Sequence, residues 1–296
     1  MIFDSRAASR SPDGSANASP SVLPPDLADA IDGARDRLGR LGSTILYFPV
    51  IGSTNNVALT LAGQADREGA VVIAGEQTAG RGRRGRAWFS PPGSGLYVSV
   101  VLAPARAHEP ERATSLLTLT AGVALAEAIE AATALRVDIK WPNDLMVSRR
   151  KVAGILAEAV PADAERRAVP GARERAMHVV LGYGVNVAST AYPPELGDQA
   201  TSLELELGRS VDRDALCVET LASLARRYAD LVDGRFDAIL DAWRVRAPGS
   251  RGARVTWHAP SGPQAGVTAG IDEGGALLVR VGDRLERIVA GELTWS

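Results

Sequence analysis

Several things are scarce in this 296-residue chain. There is one cysteine, Cys217, so no intrachain disulfide can form. It falls among Leu221, Leu224, Tyr228 and Leu231 at helical spacing, which makes it a core-face residue rather than a catalytic thiol. The three histidines, His108, His178 and His258, stand too far apart for a metal-ligand pattern. No apolar run approaches the roughly 18 residues that a membrane span needs. The N-terminus lacks the basic stretch and apolar core of a signal peptide. The expectation is a cytoplasmic chain with no membrane partner. Excess positive charge is also missing: the net charge is -2 and the pI about 6.0. A general nucleic-acid-binding domain is usually strongly basic, so none is expected. Lysine is nearly absent. Of 33 basic residues only Lys140 and Lys151 are lysines. An ammonium on a flexible stem is not equivalent to a planar guanidinium, so at least Lys140 is expected where arginine does not fit.

What the chain does have is a stretch in which glycines alternate with arginines, from Gly75 through Gln77, Gly80, Arg81, Gly82, Arg83, Arg84, Gly85 and Arg86 to Trp88. The apolar run 70–74 leads into it and reads as a buried strand. Glycine allows close backbone approach, and arginine forks suit phosphate and carboxylate. Such a loop can wrap a small polyanion. An Arg-Gly nucleic-acid segment is the rival reading, disfavoured by the acidic pI and by the apolar strand that feeds the loop.

Two further stretches narrow the choice. One is Lys140-Trp141-Pro142-Asn143-Asp144-Leu145, followed by Lys151-Val152-Ala153-Gly154-Ile155-Leu156. The other is Gly52-Ser53-Thr54-Asn55. The three together, in this order, resemble the biotin–protein ligase family, from about Leu41 to the C-terminus. The resemblance implies an α+β fold: a mixed-sheet catalytic domain of the class II synthetase type, then a small SH3-like β-barrel. Residues 1–25, rich in Ser, Ala, Pro and Asp and without periodicity, are expected to be a disordered tail; the resemblance implies 26–247 as the catalytic domain and 251–296 as the barrel. Bifunctional members carry an N-terminal winged helix-turn-helix. About 40 residues, half of low complexity, cannot build one, so neither DNA binding nor repression is expected.

In chain order, residues 26–41 read as a short helix and 44–50 as a strand. Ser53, Thr54 and Asn55 open a helix to about residue 65, where they are good N-caps and equally good contacts for a polar ligand. Strands follow at 70–76 and 95–103, a long helix at 111–134, and strands at 136–141, 151–159 and 177–187. Residues 161–176 read as a surface loop and 188–202 as a second loop. Helices are expected at 211–232 and 237–245, a linker at 247–252, and short strands after residue 254.

The resemblance also implies the chemistry. The biotin carboxylate attacks the α-phosphorus of ATP, with Mg²⁺ on the phosphates, and gives biotinyl-5′-AMP. A lysine of a biotin carboxyl carrier protein then takes the biotin. Ser53, Thr54 and Asn55 would meet the ureido ring. Gln77, Gly80, Arg81, Gly82 and Arg83 would contact biotin or its adenylate. Arg86 would contact phosphate, Gly154 would let the ring pack on backbone, and Asn186 would touch phosphate or metal. Lys140 is expected between carboxylate and α-phosphate, and Arg83 over the intermediate. Asp144 is open between orienting Lys140, holding metal and serving structure. The family allows a homodimer without requiring one. A lipoate–protein ligase shares the fold and the adenylate chemistry and is separated by the Arg-Gly loop.

Overall fold

The structure, a computed structural model, describes residues 19–64, 67–160, 178–259, 262–291 and 293–295. The expected 161–176 loop and residues 1–18 of the expected tail lie outside them. The rest of that tail is held: the Ser21 amide donates to the Tyr47 carbonyl at 2.8 Å, and Leu23 packs on the core.

Two short helices, α1 (Pro25–Gly33) and α2 (Arg35–Leu38), replace the single expected helix and lead to β1 (Thr44–Phe48). Then come α3 (Thr54–Ala62), β2 (Ala70–Ala74), β3 (Gly95–Leu102) and α4 (Pro110–Thr133). A run of strands follows: β4 (Asp138–Lys140), β5 (Asp144–Val147), β6 (Arg150–Ala159) and β7 (Val179–Asn186). Helices α5 (Leu203–Leu207), α6 (Arg213–Val232) and α7 (Phe236–Arg246) complete the larger part. The seven strands form one mixed sheet in the order β1-β2-β3-β7-β6-β5-β4. Only the β1–β2 pair is parallel. The central strands β2, β3 and β7 are buried along their whole length, as strands covered on both faces must be.

The period of two divides the side chains of these strands between two cores. Val71 and Ile73 of β2, Val98 and Val100 of β3, and Leu181 and Val185 of β7 face the larger core under α4, α6 and α7. Val72 and Ala74, Tyr97 and Val101, and Val180 face a smaller one under α3. Each buried aliphatic side chain contributes about 1.5–3 kcal/mol, so the larger core dominates stability. The smaller face is left for the site. By length and composition α4 is apolar enough to cross a membrane, which the sequence reading did not expect. Here 72% of that apolar window is buried within the protein, against the sheet and α6.

The last part is a five-stranded antiparallel sheet: β8 (Arg251–Ala259), β9 (Gly262–Ile271), β10 (Leu277–Val281), β11 (Arg284–Ile288) and β12 (Leu293–Trp295), in the order β11-β10-β9-β8-β12. The expected linker is shorter than foreseen, since β8 begins at Arg251. The seam is packed rather than loose. Trp141 Nε1 donates to the Gly275 carbonyl at 3.0 Å. Gly275 itself has φ +81°, and a Cβ there would meet Leu119 Cδ1 of α4 at 2.7 Å, so only glycine fits.

Candidate functional site

A narrow cavity, about 440 Å³ including open solvent, opens on the smaller face of the sheet. Its floor is set by glycines. Gly154 of β6 pairs in register with Gly184 of β7, and Gly182 lies two residues along. An ideal Cβ on Gly184 would meet Trp88 Nε1 at 2.3 Å, and one on Gly182 would meet Asn55 Oδ1 at 1.9 Å. Backbone therefore forms the floor because side chains from above come down onto it. The walls are Ser53, Thr54 and Asn55 at the start of α3, with Gln77, Arg81, Gly82, Arg83 and Trp88 from the Arg-Gly loop.

The polar groups at the closed end are tied to one another. Gln77 Oε1 accepts from the Thr54 amide at 2.9 Å and from Thr54 Oγ1 at 3.1 Å, and Gln77 Nε2 donates to Ser90 Oγ at 2.9 Å. Gln77 thus satisfies an orphan amide at the start of α3 from outside the helix. Buried Ser99 of β3 holds Thr54 Oγ1 at 2.7 Å and Asn55 Oδ1 at 2.6 Å. Ser53 occupies the N-cap position but makes no side-chain cap bond. Ser53 is buried and lines the cavity, which favours the ligand-contact reading of this triplet over the capping one.

At its open end the cavity continues into a larger groove, about 2080 Å³ including open solvent. Arg83, Arg84, Arg86, Lys140, Arg149 and Lys151 line this groove against the carboxylates of Asp144 and Asp198. Strand β12 closes one side with Leu293 and Trp295. Gly82, Arg83, Trp88, Asn143 and Lys151 line both spaces and so mark the junction. There Lys151 Nζ sits 2.5 Å from Asp144 Oδ1 and 5.3 Å from the Trp88 ring centre. Arg83 Nη1 donates to Asn143 Oδ1 at 2.8 Å, and Asn143 is fixed in turn by donating to the Ile155 carbonyl at 2.8 Å.

Most of the residues expected from sequence are gathered here, though not all in one place. Ser53, Thr54, Asn55, Gln77, Arg81, Gly82, Arg83 and Gly154 line the inner cavity. Arg86, Lys140 and Asn186 line the outer groove only. Asn186 donates to the Thr201 carbonyl at 3.0 Å and so also fastens the 188–202 segment. Gly80 lines neither space. It lies against Trp88, whose amide donates to the Gly80 carbonyl at 2.9 Å. Lys140, expected between carboxylate and α-phosphate, lies on the edge of the sheet. Strand β4 is the sheet edge, two strands from the glycine floor, or about 10 Å at the usual spacing. Lys151, on β6 beside that floor, stands at the junction instead, and Asp144 pairs with it. Trp88, Asn143, Lys151, Gly182 and Gly184 were not foreseen as site residues. Lys151 shares the scarcity that singled out Lys140, and a period of two back from Asn186 reaches Gly184 and Gly182. Cys217 is buried in α6, where burial first and the Asp214 carboxylate second push its thiol up to about 12, so it supplies no nucleophile.

Residues 47–186 match the model of the biotin/lipoate A/B protein ligase family. The biotin–[acetyl-CoA-carboxylase] ligase of Mycobacterium tuberculosis is 34% identical over 88% of this chain and 92% of its own length. The chain belongs to the biotin–protein ligase family. The bifunctional ligase/repressor BirA of Bacillus spizizenii is 35% identical over 86% of this chain and 74% of that protein. Among solved structures, the Aquifex aeolicus biotin protein ligase in complex with biotin and ATP superposes with a TM-score of 0.68 at 25% identity, covering 86% of this chain and 99% of that one. The likeness thus extends beyond the signature stretches to the mixed sheet that positions the glycine floor of this ligase.

Proposed function

We propose that this ligase forms biotinyl-5′-AMP from biotin and ATP and transfers the biotin to a lysine of a biotin carboxyl carrier domain. The observation that supports it most is the junction. A small cavity with fixed polar groups at its closed end opens, past one lysine and one arginine, into a groove lined by cations. The closed end suits a cyclic urea, which has a carbonyl to accept and two N–H groups to donate. Ser53, Thr54, Asn55 and Gln77 offer short groups of both kinds. The valeryl chain of biotin then runs along the Trp88 indole that lies on the Gly154–Gly184 floor, and its carboxylate reaches Lys151. The triphosphate of ATP lies in the outer groove against Arg84, Arg86, Lys140 and Arg149.

The first step brings two anions together, so the protein's work is charge cancellation and alignment. A carboxylate oxygen of biotin attacks the α-phosphorus, the α–β phosphoanhydride bond breaks, and pyrophosphate leaves. Lys151 stands where carboxylate and α-phosphate meet, and Asp144 holds its ammonium in place. Arg83 covers the mixed anhydride and limits water. In the second step the acceptor amine attacks the biotinyl carbonyl carbon, AMP leaves, and the amine loses a proton as the amide forms. Mg²⁺ would offset the charge of the ATP phosphates. The Asp144 and Asp198 carboxylates and the Asn186 amide oxygen, which line the outer groove, would hold it there. A metal held mainly by phosphate and water needs only one or two carboxylates. Among the described residues no cluster of three or more His, Cys, Asp or Glu could hold a metal by itself.

The acceptor class follows the M. tuberculosis relative, a biotin–[acetyl-CoA-carboxylase] ligase. The C-terminal antiparallel sheet stands where the family has an SH3-like domain, and we assign it so. Repression of transcription is no part of the proposal. Lipoate is the second candidate, but its dithiolane ring has neither N–H nor carbonyl. It would leave unmet the hydrogen-bonding capacity that the polar groups of the closed end do not spend on one another, that of the Ser53 hydroxyl above all, at about 1–3 kcal/mol for each buried group so left. The test is mass spectrometry of a carrier domain incubated with the ligase, ATP, Mg²⁺ and either acid. A single biotin added, and no lipoate, is expected. Lipoate transfer, or no transfer of either, contradicts the assignment.

A further inference from the structure

Behind the closed end of the cavity lies a carboxylate that lines neither the cavity nor the groove. Glu158 is on β6, two and four residues beyond Leu156 and Gly154. The strand period therefore points it to the same face, just past the floor. Its Oε2 accepts from Asn55 Nδ2 at 2.7 Å. Its Oε1 pairs with the Arg81 guanidinium, whose Nη1 also donates to Asn56 Oδ1 at 2.6 Å. The carboxylate is about a quarter exposed (23%), and Asn55 is buried. One side chain of the sheet thus grips two separate pieces of the site: the first turn of α3 and the first arginine of the Arg-Gly loop.

We infer that Glu158 is a positioning residue that couples recognition of the biotin head group to closure of the Arg-Gly loop. The inference rests on the proposed assignment of this cavity to biotin. Asn55 can present its amide in two flipped orientations. Glu158 accepts only, so it selects the one with Nδ2 toward itself and Oδ1 toward Ser99. Donor and acceptor positions at the head group are thereby fixed before the ligand arrives. The same carboxylate ties the Arg81 end of the loop, while Asn143 ties Arg83 two residues on. A loop rich in glycine, fastened at both places, holds its backbone over the cavity. A charge-assisted bond at this site acts through Asn55 and Arg81 rather than on the reacting atoms.

The two functions of the carboxylate separate in the choice of variant. Glu158→Gln keeps an acceptor for Asn55 but loses the charge that holds Arg81, whereas Glu158→Ala loses both. Biotin affinity is read by calorimetry on the full chain, ATP by its KM in adenylate formation, and loop closure by the rate at which biotinyl-AMP escapes. Glu158→Ala is expected to weaken biotin binding by about 10- to 100-fold, the usual effect of losing a hydrogen bond to a charged group. Glu158→Gln is expected to weaken it less, about threefold, yet to speed escape of the intermediate by about 10-fold. The ATP KM is expected to change less than about threefold in either. In an Arg81→Ala background Glu158→Gln is expected to have no further effect on escape, because the group it acts through is gone. A merely structural glutamate would instead add the same loss in both backgrounds. If Glu158→Ala does not fold, Glu158→Gln and its cycle with Arg81→Ala decide alone. Unchanged biotin affinity and escape in the variants overturns the inference. So does an undiminished effect of Glu158→Gln without Arg81, or a parallel rise in ATP KM. Failure of the wild-type chain to bind biotin overturns the cavity assignment instead.

Discussion

The inner cavity and the outer groove meet at Lys151 but are built on different principles. The inner cavity is floored by three glycines on two adjacent strands, and its polar groups are bonded to one another before any ligand enters. The outer groove is walled by long cationic side chains on loops and a sheet edge. The first arrangement reads shape and hydrogen-bond pattern, because a misfitting ligand leaves buried groups unpaired. The second reads charge, which is tolerant of position and sensitive to salt. The two lysines divide accordingly. Lys151 sits at the boundary, held by Asp144 and Trp88, and Lys140 sits on the edge strand in the groove.

Removing each lysine in turn separates the boundary from the groove. Lys151→Ala is expected to slow adenylate formation by about 10²–10³-fold, the usual loss for one preorganised electrostatic partner. Lys140→Ala is expected to cost about 10-fold or less, mainly as a raised ATP KM. Rapid-quench measurement of biotinyl-AMP in both variants checks the order. An equal or reversed order removes the distinction between boundary and groove.

Arg83 tests the boundary from the loop side. Its bond to Asn143 holds it at the junction. Arg83→Gly is expected to keep adenylation but to release the anhydride about 10- to 100-fold faster, since a contact of about 1.5–3 kcal/mol is lost. Labelling of added albumin by the variant, and not by the wild-type chain, is the readout. A variant that makes no adenylate places Arg83 in the chemical step instead.

Gly184→Ala tests the shape-reading half alone. The added methyl meets the Trp88 indole at 2.3 Å, so the indole must shift over the floor. Overpacking of this kind costs about 1–3 kcal/mol, and biotin affinity is expected to fall by about 10-fold. The ATP KM should change less than about threefold. Calorimetry with biotin and steady-state titration with ATP separate the two.

The smallest effect is expected where the C-terminal sheet touches the Lys140-Trp141-Pro142 stretch. Trp141→Phe removes the indole donor to the Gly275 carbonyl. The loss of one buried hydrogen bond is worth about 1 kcal/mol, or a fall in Tm of about 2–4 °C, with adenylation little changed. Scanning calorimetry measures it.

Periodicity and motif made much of this legible. The alternating arginines and glycines, the Ser53-Thr54-Asn55 triplet and the apolar runs of β2, β3 and β7 led to the right elements and to most of the cavity lining. What escaped depends on neighbours across the sheet. Lys140 and Lys151 look equivalent along the chain, and only the strand order shows that one lies at an edge and the other beside the floor. Gly182 and Gly184 were visible as glycines, but their pairing against Gly154 and Leu156 is a matter of register between strands. β5, four residues long, carries no period that stands out. The apolar content of α4 gave no hint of its packing, because a helix buried on most sides is apolar nearly all round.

In the proposed function the carboxyl–phosphoryl junction lies at Lys151, between a biotin cavity and a nucleotide groove. A crystal structure with a non-hydrolysable sulfamoyl analogue of biotinyl-AMP tests it most directly. The bicyclic head should lie at the closed end by Thr54 and Gln77, its chain along the Trp88 indole on the Gly154–Gly184 floor, and its acyl–sulfamate linkage within about 3 Å of Lys151 Nζ. A linkage bound at Lys140, with Lys151 making no contact to it, would contradict this placement.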